Sequence, residues 1–148
     1  MPSSVLRTNF VGRSNVSHRK SFTDWIHSSI TGNQQVQLLS DVYFSPLSIK
    51  LLLDMINLVV KNKPVGIFNL GSHNGMSKAD FAFAFVECLK LPTKTVARIA
   101  SNEAKFLKTY RPKDMRMNCL KFEDVLKVNL PNLSELIEQV SKEYYEIT

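Results

Sequence analysis

The sequence predicts a mixed α/β chain, and three observations predict it. Short β-branched or apolar runs alternate with stretches at helical spacing, serine–carboxylate pairs stand where helices would begin, and prolines and glycines mark the boundaries. At 148 residues the prior is a single compact domain, able to bury about two-thirds of its unfolded surface.

The first run, Val5-Leu6-Arg7-Thr8-Asn9-Phe10-Val11, is apolar at both ends and stops at Gly12, which reads as a buried strand over 5–11. Arg13 to Lys20 is a polar, basic loop. Ser21 reads as an N-cap with Asp24 three residues on, a carboxylate at the positive end of a helix. Phe22, Trp25, Ile26 and Ile30 follow at helical spacing, with Trp25 expected in the core, and Gly32 ends the helix at Thr31. Val36 to Leu39 is a short strand. Asp41-Val42-Tyr43-Phe44 then leads into Ser45-Pro46, read as the N-cap and first residue of a helix from Leu47 to about Lys61. Leu51, Leu52, Met55, Ile56, Val59 and Val60 give that helix a broad apolar face, and Pro64 forbids its continuation.

Gly66 to Gly71 is a strand bracketed by glycines. Ser77 caps another helix, with Asp80 three residues later and a core stripe of Phe81, Phe85, Val86 and Leu89. Thr95 to Ala100 is a further β-branched run. A polar, basic connection from Ser101 to Arg116 follows. Two helices finish the chain, Cys119 to about Lys127 and Leu133 to about Tyr145, separated by Leu130-Pro131-Asn132.

Composition excludes several classes. With 44% hydrophobic and 22% charged residues, the chain is not disordered, collagen-like or a coiled coil. Its richest apolar stretch, Leu51 to Val60, contains Asp54 and Asn57 and falls short of the ~20 residues a membrane span needs, so no membrane partner is expected. Met1-Pro2-Ser3-Ser4 does not resemble a secretory leader, and Cys88 and Cys119 form no C-x-x-C pair. The expectation is a cytoplasmic protein with reduced thiols.

No catalytic centre is self-evident. None of the five glycines fits G-x-G-x-x-G or a P-loop, and His18, His27 and His73 lack metal-ligand spacing, so no metal site is expected. No tyrosine has a lysine four residues on, and no G-x-S-x-G elbow is present. The strongest charge feature is Lys105, Lys108, Arg111, Lys113 and Arg116, opposed by Glu103 and Asp114, within a chain of net charge +6. Such a cluster reads either as a solvated loop or, with Arg111 stiffened by Pro112 and a second guanidinium at Arg116, as a diphosphate site. Nucleic acid is not expected, because no reading helix or stacking platform accompanies the charge.

In order along the chain, these residues resemble the C-terminal part of dTDP-4-dehydrorhamnose reductase, an extended short-chain dehydrogenase/reductase. The matching segments are Leu6-Arg7-Thr8, the helix from Ser21-Phe22, Asp41-Val42-Tyr43-Phe44-Ser45-Pro46 and Gly66-Ile67-Phe68-Asn69-Leu70-Gly71. Arg111-Pro112 with Arg116, then Lys121-Phe122 and Leu130-Pro131, close the series. The resemblance implies a small sheet with packed helices and no complete Rossmann domain: a single substrate-binding domain over 1–148. Residues 5–12 would be a strand of a Rossmann sheet that precedes them, and 21–146 a compact core. The glycine-rich NADP-binding turn and the Tyr/Lys pair would lie outside these residues.

The implied function is the substrate-binding portion of an NADP(H)-dependent reductase of dTDP-4-keto-6-deoxy sugars, inactive alone. NADP(H) would serve the complete enzyme and not bind tightly to this chain. The implied partners are a dTDP-sugar and either a second copy or a complementary Rossmann-domain chain, since strand 5–11 would otherwise leave an apolar edge unpaired. Arg7, Thr8 and Asn9 would lie beside the nicotinamide and sugar. Phe10 falls where the family often has a sugar-contacting tryptophan, unless it is a core phenylalanine beside Val11. Arg111 and Arg116 would hold the diphosphate, while Asp41 and Ser45 would fix a turn and cap a helix. Other implied readings are a nucleotide-sugar epimerase or dehydratase, and a non-enzymatic regulatory subunit like the relatives that partner methionine adenosyltransferase.

Overall fold

A computed structural model describes residues 2–145. The ends of the expected 1–148 domain and 21–146 core, residues 1 and 146–148, lie outside the described residues. In chain order the elements are β1 (Ser4–Thr8), β2 (Phe10–Val11), α1 (Phe22–Thr31), β3 (Val36–Leu39), β4 (Tyr43–Phe44), β5 (Leu47–Ser48) and α2 (Ile49–Asn62). They continue with β6 (Gly66–Leu70), β7 (Met76–Ser77), α3 (Lys78–Cys88), β8 (Val96–Ile99), β9 (Asp114–Met115), α4 (Leu120–Leu126) and α5 (Leu133–Lys142). The mixed α/β expectation holds.

The strands form small, mostly parallel sets: β1 with β6, β2 with β5, and β3 with β8. The fourth set centres on β4, which pairs antiparallel with β7 and parallel with β9. The single strand expected over 5–11 is two strands. β1 runs beside β6 from Ser4↔Gly66 to Thr8↔Leu70, and the chain changes partner at Asn9, whose carbonyl accepts the Leu47 N–H at 2.9 Å. β2 then pairs Phe10 with Leu47. This switch ties residues 4–11 to β6 and β5.

Two of the three expected serine caps are in place. Ser21 and Asp24 form a reciprocal capping box, with Ser21 Oγ accepting the Asp24 N–H at 3.1 Å and the Asp24 carboxylate accepting the Ser21 N–H at 2.9 Å. Ser77 Oγ accepts the Asp80 N–H at 3.0 Å. The third differs: α2 starts at Ile49 and its cap is Ser48, which accepts the Leu51 N–H at 3.2 Å. Leu47 and Ser48 are held extended by β2, so Ser45-Pro46 lies a strand too early to start the helix. Fully buried Ser45 instead accepts the Met117 N–H on its hydroxyl at 2.9 Å and the Ser72 N–H on its carbonyl at 3.1 Å. Gly32 closes α1 at φ −82°, and the left-handed residue there is Asn33 at φ 53°.

The core is a chain of rings. Phe22, Phe44, Phe81, Phe85 and Tyr144 stand in edge or stacked contact with centroids 5.2–6.2 Å apart, separations at which aromatic pairs add to simple burial. Leu133, Leu136, Ile137 and Val140 of α5 close over α3. Phe68 and Phe122 make a second contact beneath β6 and α4. Trp25 is not part of this core: it is 39% exposed, because α1 turns its Ile26 and Ile30 inward.

Tyr144 fastens the C-terminal segment to α1. Its hydroxyl donates to Asp24 Oδ1 at 2.7 Å and lies 2.8 Å from Thr23 Oγ1, which donates to the Gly12 carbonyl. Burial opposes the Asp24 charge, yet hydrogen bonds from Ser21, Tyr144 and Ser14 hold its carboxyl below the ordinary 3.8. A carboxyl depressed in the fold stabilises above its unfolded value and loses that contribution as pH falls through the folded one. Tyr144→Phe is expected to cost about 1–2 kcal/mol near neutral pH. In urea denaturation it is also expected to lose less stability than the parent as pH falls below the ordinary carboxylate value.

Candidate functional site

An aromatic cavity of about 320 Å³ opens between α1, β3, the start of α3 and the connection over 101–115. Phe22 and Trp25, one helical turn apart on α1, stack at 6.1 Å and form one wall. Leu38, Val42 and Phe106 line the rest, and two cations, Lys78 and Arg111, supply the charge; among the described residues no carboxylate lines it.

Lys78 is the first residue of α3, placed there by the Ser77 cap. Its Nζ sits 3.4 Å from the Phe44 ring centroid and 4.7 Å from that of Phe22. No ion pair to it exists among the described residues. Burial, with Arg111 adding repulsion, pushes its ammonium down to about 8.

Arg111 stands on the border of a second cavity, about 410 Å³, that is also lined by Lys108, Tyr110 and Lys113. Asp41 shapes this basic connection. It accepts the Ser101 N–H at 2.8 Å and the Ser101 hydroxyl at 2.7 Å, and pairs with Lys113 at 3.0 Å. The Ser101 hydroxyl and then Lys113 hold its carboxyl at about 2. Asp41, expected to fix the turn ahead of the next helix, holds instead a turn at Ser101, 60 residues away in sequence.

Arg116 is not among the residues lining either cavity that Arg111 lines. Its guanidinium forks onto Asp114, with Nε to Oδ1 at 2.9 Å and Nη2 to Oδ2 at 2.6 Å, and lies over Tyr43 at 5.1 Å from the ring centroid. That fork holds the Asp114 carboxyl at about 2. The structure therefore brings Arg111 together with Lys78, not with Arg116. Behind Arg116 the chain must pass as glycine: a Cβ on Gly75 would sit 2.6 Å from the Phe44 carbonyl and 2.8 Å from Arg116 Cγ.

The residues at the end of β1 are placed as follows. Arg7 is on the outward face of β1, opposite Asn69 of β6, and Thr8 donates its hydroxyl to the Asn9 carbonyl. Asn9 Nδ2 reaches the Met115 carbonyl at 3.5 Å, which links this strand end to β9 and to the cavity that Met115 lines. Phe10 is 60% exposed, so it is not a core phenylalanine. Lys78, Trp25 and Phe106 have no part in the sequence-based site. The available signal was Lys78 itself, a cation at a helix start where carboxylates are favoured.

Among the described residues no cluster of three or more His, Cys, Asp or Glu is placed to hold a metal, and no helix is long and apolar enough to cross a membrane. The model of the RmlD substrate binding domain matches residues 2–146. The chain belongs to this family. No curated protein matches it significantly. Among solved structures it is similar to dTDP-4-dehydrorhamnose reductase from Bacillus anthracis in complex with NADP, with TM-score 0.84, 17% identity, 95% of this chain and 48% of that one. The reductase from Yersinia enterocolitica gives TM-score 0.81 and 16% identity over 95% and 49%. The dTDP-glucose 4,6-dehydratase of B. anthracis with NAD gives 0.74 and 13% over 97% and 44%. The chain thus spans about half the length of these structures, and its fold is that of the substrate-binding part of extended short-chain dehydrogenase/reductases.

Asp41→Asn keeps the shape and removes the charge that gathers Ser101 and Lys113. The Ser101 amide is expected to exchange faster than in the parent, read by hydrogen exchange at neutral pH. In the parent, the same loosening is expected as pH falls from about 4 towards 2, where the carboxylate takes up its proton.

Proposed function

We propose that this chain is the substrate-binding portion of an NADP(H)-dependent reductase of dTDP-4-keto-6-deoxy sugars. The observation that carries this reading is the aromatic cavity with Arg111 at its mouth and no acid on its walls. A planar base suits stacked Phe22 and Trp25, and a diphosphate suits the exposed cationic border where Arg111 meets Lys108 and Lys113. The reductases and the dehydratase among the neighbouring folds are dTDP-sugar enzymes by their names, which favours thymidine diphosphate. Phe10, exposed at the far end of the Asn9–Met115 link, is the residue we assign to the sugar.

The dinucleotide does not belong to this chain's own residues. None of its glycines forms G-x-G-x-x-G, and β1 runs on into β2 instead of turning into a helix whose N-terminus would meet a pyrophosphate. Hydride chemistry is therefore assigned to a dinucleotide-binding half, and this chain orients the nucleotide sugar for it. By itself it binds and does not turn over.

The face for that half is the outer side of β1 and β6. The two are parallel, a pairing normally covered on both faces, yet Val5 and Ile67 stand opposite each other at 47% and 50% exposure. Leu53, Ile56 and Val60 of α2 are exposed as well. That the chain spans about half of the solved reductases argues that the missing cover is the other half of this fold.

Titration calorimetry with dTDP tests the ligand: Arg111→Ala is expected to weaken binding by about tenfold or more, the cost of a bidentate charge-assisted contact. Unchanged affinity would overturn the site. Hydrogen exchange tests the face. β1 amides not bonded to β6 are expected to exchange freely in a monomeric sample and to slow on mixing with a dinucleotide-binding half. Protection in the monomer alone, or only on self-association, would remove that partner.

A further inference from the structure

Lys78 is held against the usual rules for a lysine. It is a cation in the first turn of an eleven-residue helix, where the helix end is itself positive. It lines a largely apolar cavity beside a second cation, Arg111. Its stem turns over the Phe44 and Phe22 faces, which keep the ammonium charged but carry no net negative charge. The carboxylates of the surrounding elements are engaged elsewhere. Asp80 of its own helix takes Arg98 at 2.5 Å and the Ser77 hydroxyl, Asp114 of β9 takes Arg116, and Asp41 beyond β3 takes Lys113 and Ser101. From α1 it meets the Phe22 ring, and Trp25 lines the same cavity. A cavity wall with two cations and no counter-charge is built for an anion from outside the chain.

We propose that Lys78, and not Arg116, is the second cation of the diphosphate site, closing with Arg111 on the phosphate oxygens of a nucleoside diphosphate. This rests on the nucleotide-sugar reading of the same cavity, and it adds a residue and a pH dependence to it. Because burial and Arg111 hold the free ammonium at about 8, affinity is expected to fall as pH rises through the alkaline side of neutrality. A site built on two arginines would show no such fall.

The test is calorimetry on the full chain with dTDP, inorganic pyrophosphate and thymidine at pH 7.5 and 9.5, using the parent, Lys78→Met and Lys78→Arg. Circular dichroism checks that both variants are folded. For the parent, dTDP affinity is expected to drop about tenfold across that interval, since each pH unit above the lysine's value removes up to one decade. Lys78→Met is expected to bind dTDP about tenfold more weakly at pH 7.5, with no further pH dependence and unchanged thymidine binding. Lys78→Arg is expected to keep the neutral-pH affinity and hold it at pH 9.5. If the parent and Lys78→Met share one affinity and one pH profile for dTDP, the role of Lys78 falls while the nucleotide reading stands. If pyrophosphate binding depends on Lys78 but thymidine and dTDP gain nothing over it, the cation pair stands and the nucleotide reading falls. Failure of the parent to bind either anion overturns both.

Discussion

Tyr43 to Ser48 must stay extended, and most of the structure is arranged around that requirement. Tyr43 and Phe44 are hydrogen-bonded between β7 and β9, Ser45 bonds to Ser72 and Met117, and Leu47 and Ser48 pair with β2 before Ser48 caps α2. Six residues thus join two strand sets and a helix. Residues 42 to 48 are buried apart from Tyr43, so every backbone polar group along them needs a partner, and segments distant in sequence supply these. The same six residues place the site: Phe44 lies under Lys78, Tyr43 under Arg116, and neighbouring Val42 lines the cavity. Gly75 is required because that backbone passes too close for a Cβ.

This constraint also explains what the sequence could and could not reveal. Ser21-Asp24 and Ser77-Asp80 were readable because a capping box is a local arrangement whose parts are three residues apart. Ser45 and Ser48 are both competent caps by composition. Which one works is decided by the pairing of Leu47 with Phe10, 37 positions away, and no local pattern carries that. The two-residue strands β2, β4, β5, β7 and β9 are too short to show a period and exist only through their partners. Trp25 was read as core from its apolar character, but it lies on the side of α1 that faces the cavity.

Among the site residues, Arg111 was legible because a proline follows it in a basic run. Arg116 came with it on composition, and its failure to join Arg111 has a simple cause. Residues 114 and 116, two apart around a short strand, point the same way, and the carboxylate takes both arms of the guanidinium fork. Lys78 was illegible because a lysine in a first helical turn is ordinarily a solvated one. Its environment arises from three segments, at 22–44, 78 and 106–111, that meet only in the fold.

Magnitudes show why that environment matters. Two aromatic faces offer an ammonium about 0.5–2 kcal/mol each. Against this stand a helix dipole of the wrong sign, about 0.3–1 kcal/mol, repulsion from Arg111, and desolvation, which costs a buried ion several kcal/mol before relaxation. The protein meets the deficit partly by letting the proton bind less tightly, the direction recorded for Lys78. An arriving anion would cancel the repulsion and the desolvation together, so its binding is worth more here than at a solvated pair such as Arg98–Asp80, both about half exposed. Met115 sits where this cavity and the end of β1 touch, through Asn9. A partner docking along β1 would therefore press on the strand that carries the cavity floor. The exposed β1–β6 face and the cationic cavity are thus joined through one side-chain hydrogen bond, that of Asn9 to the Met115 carbonyl.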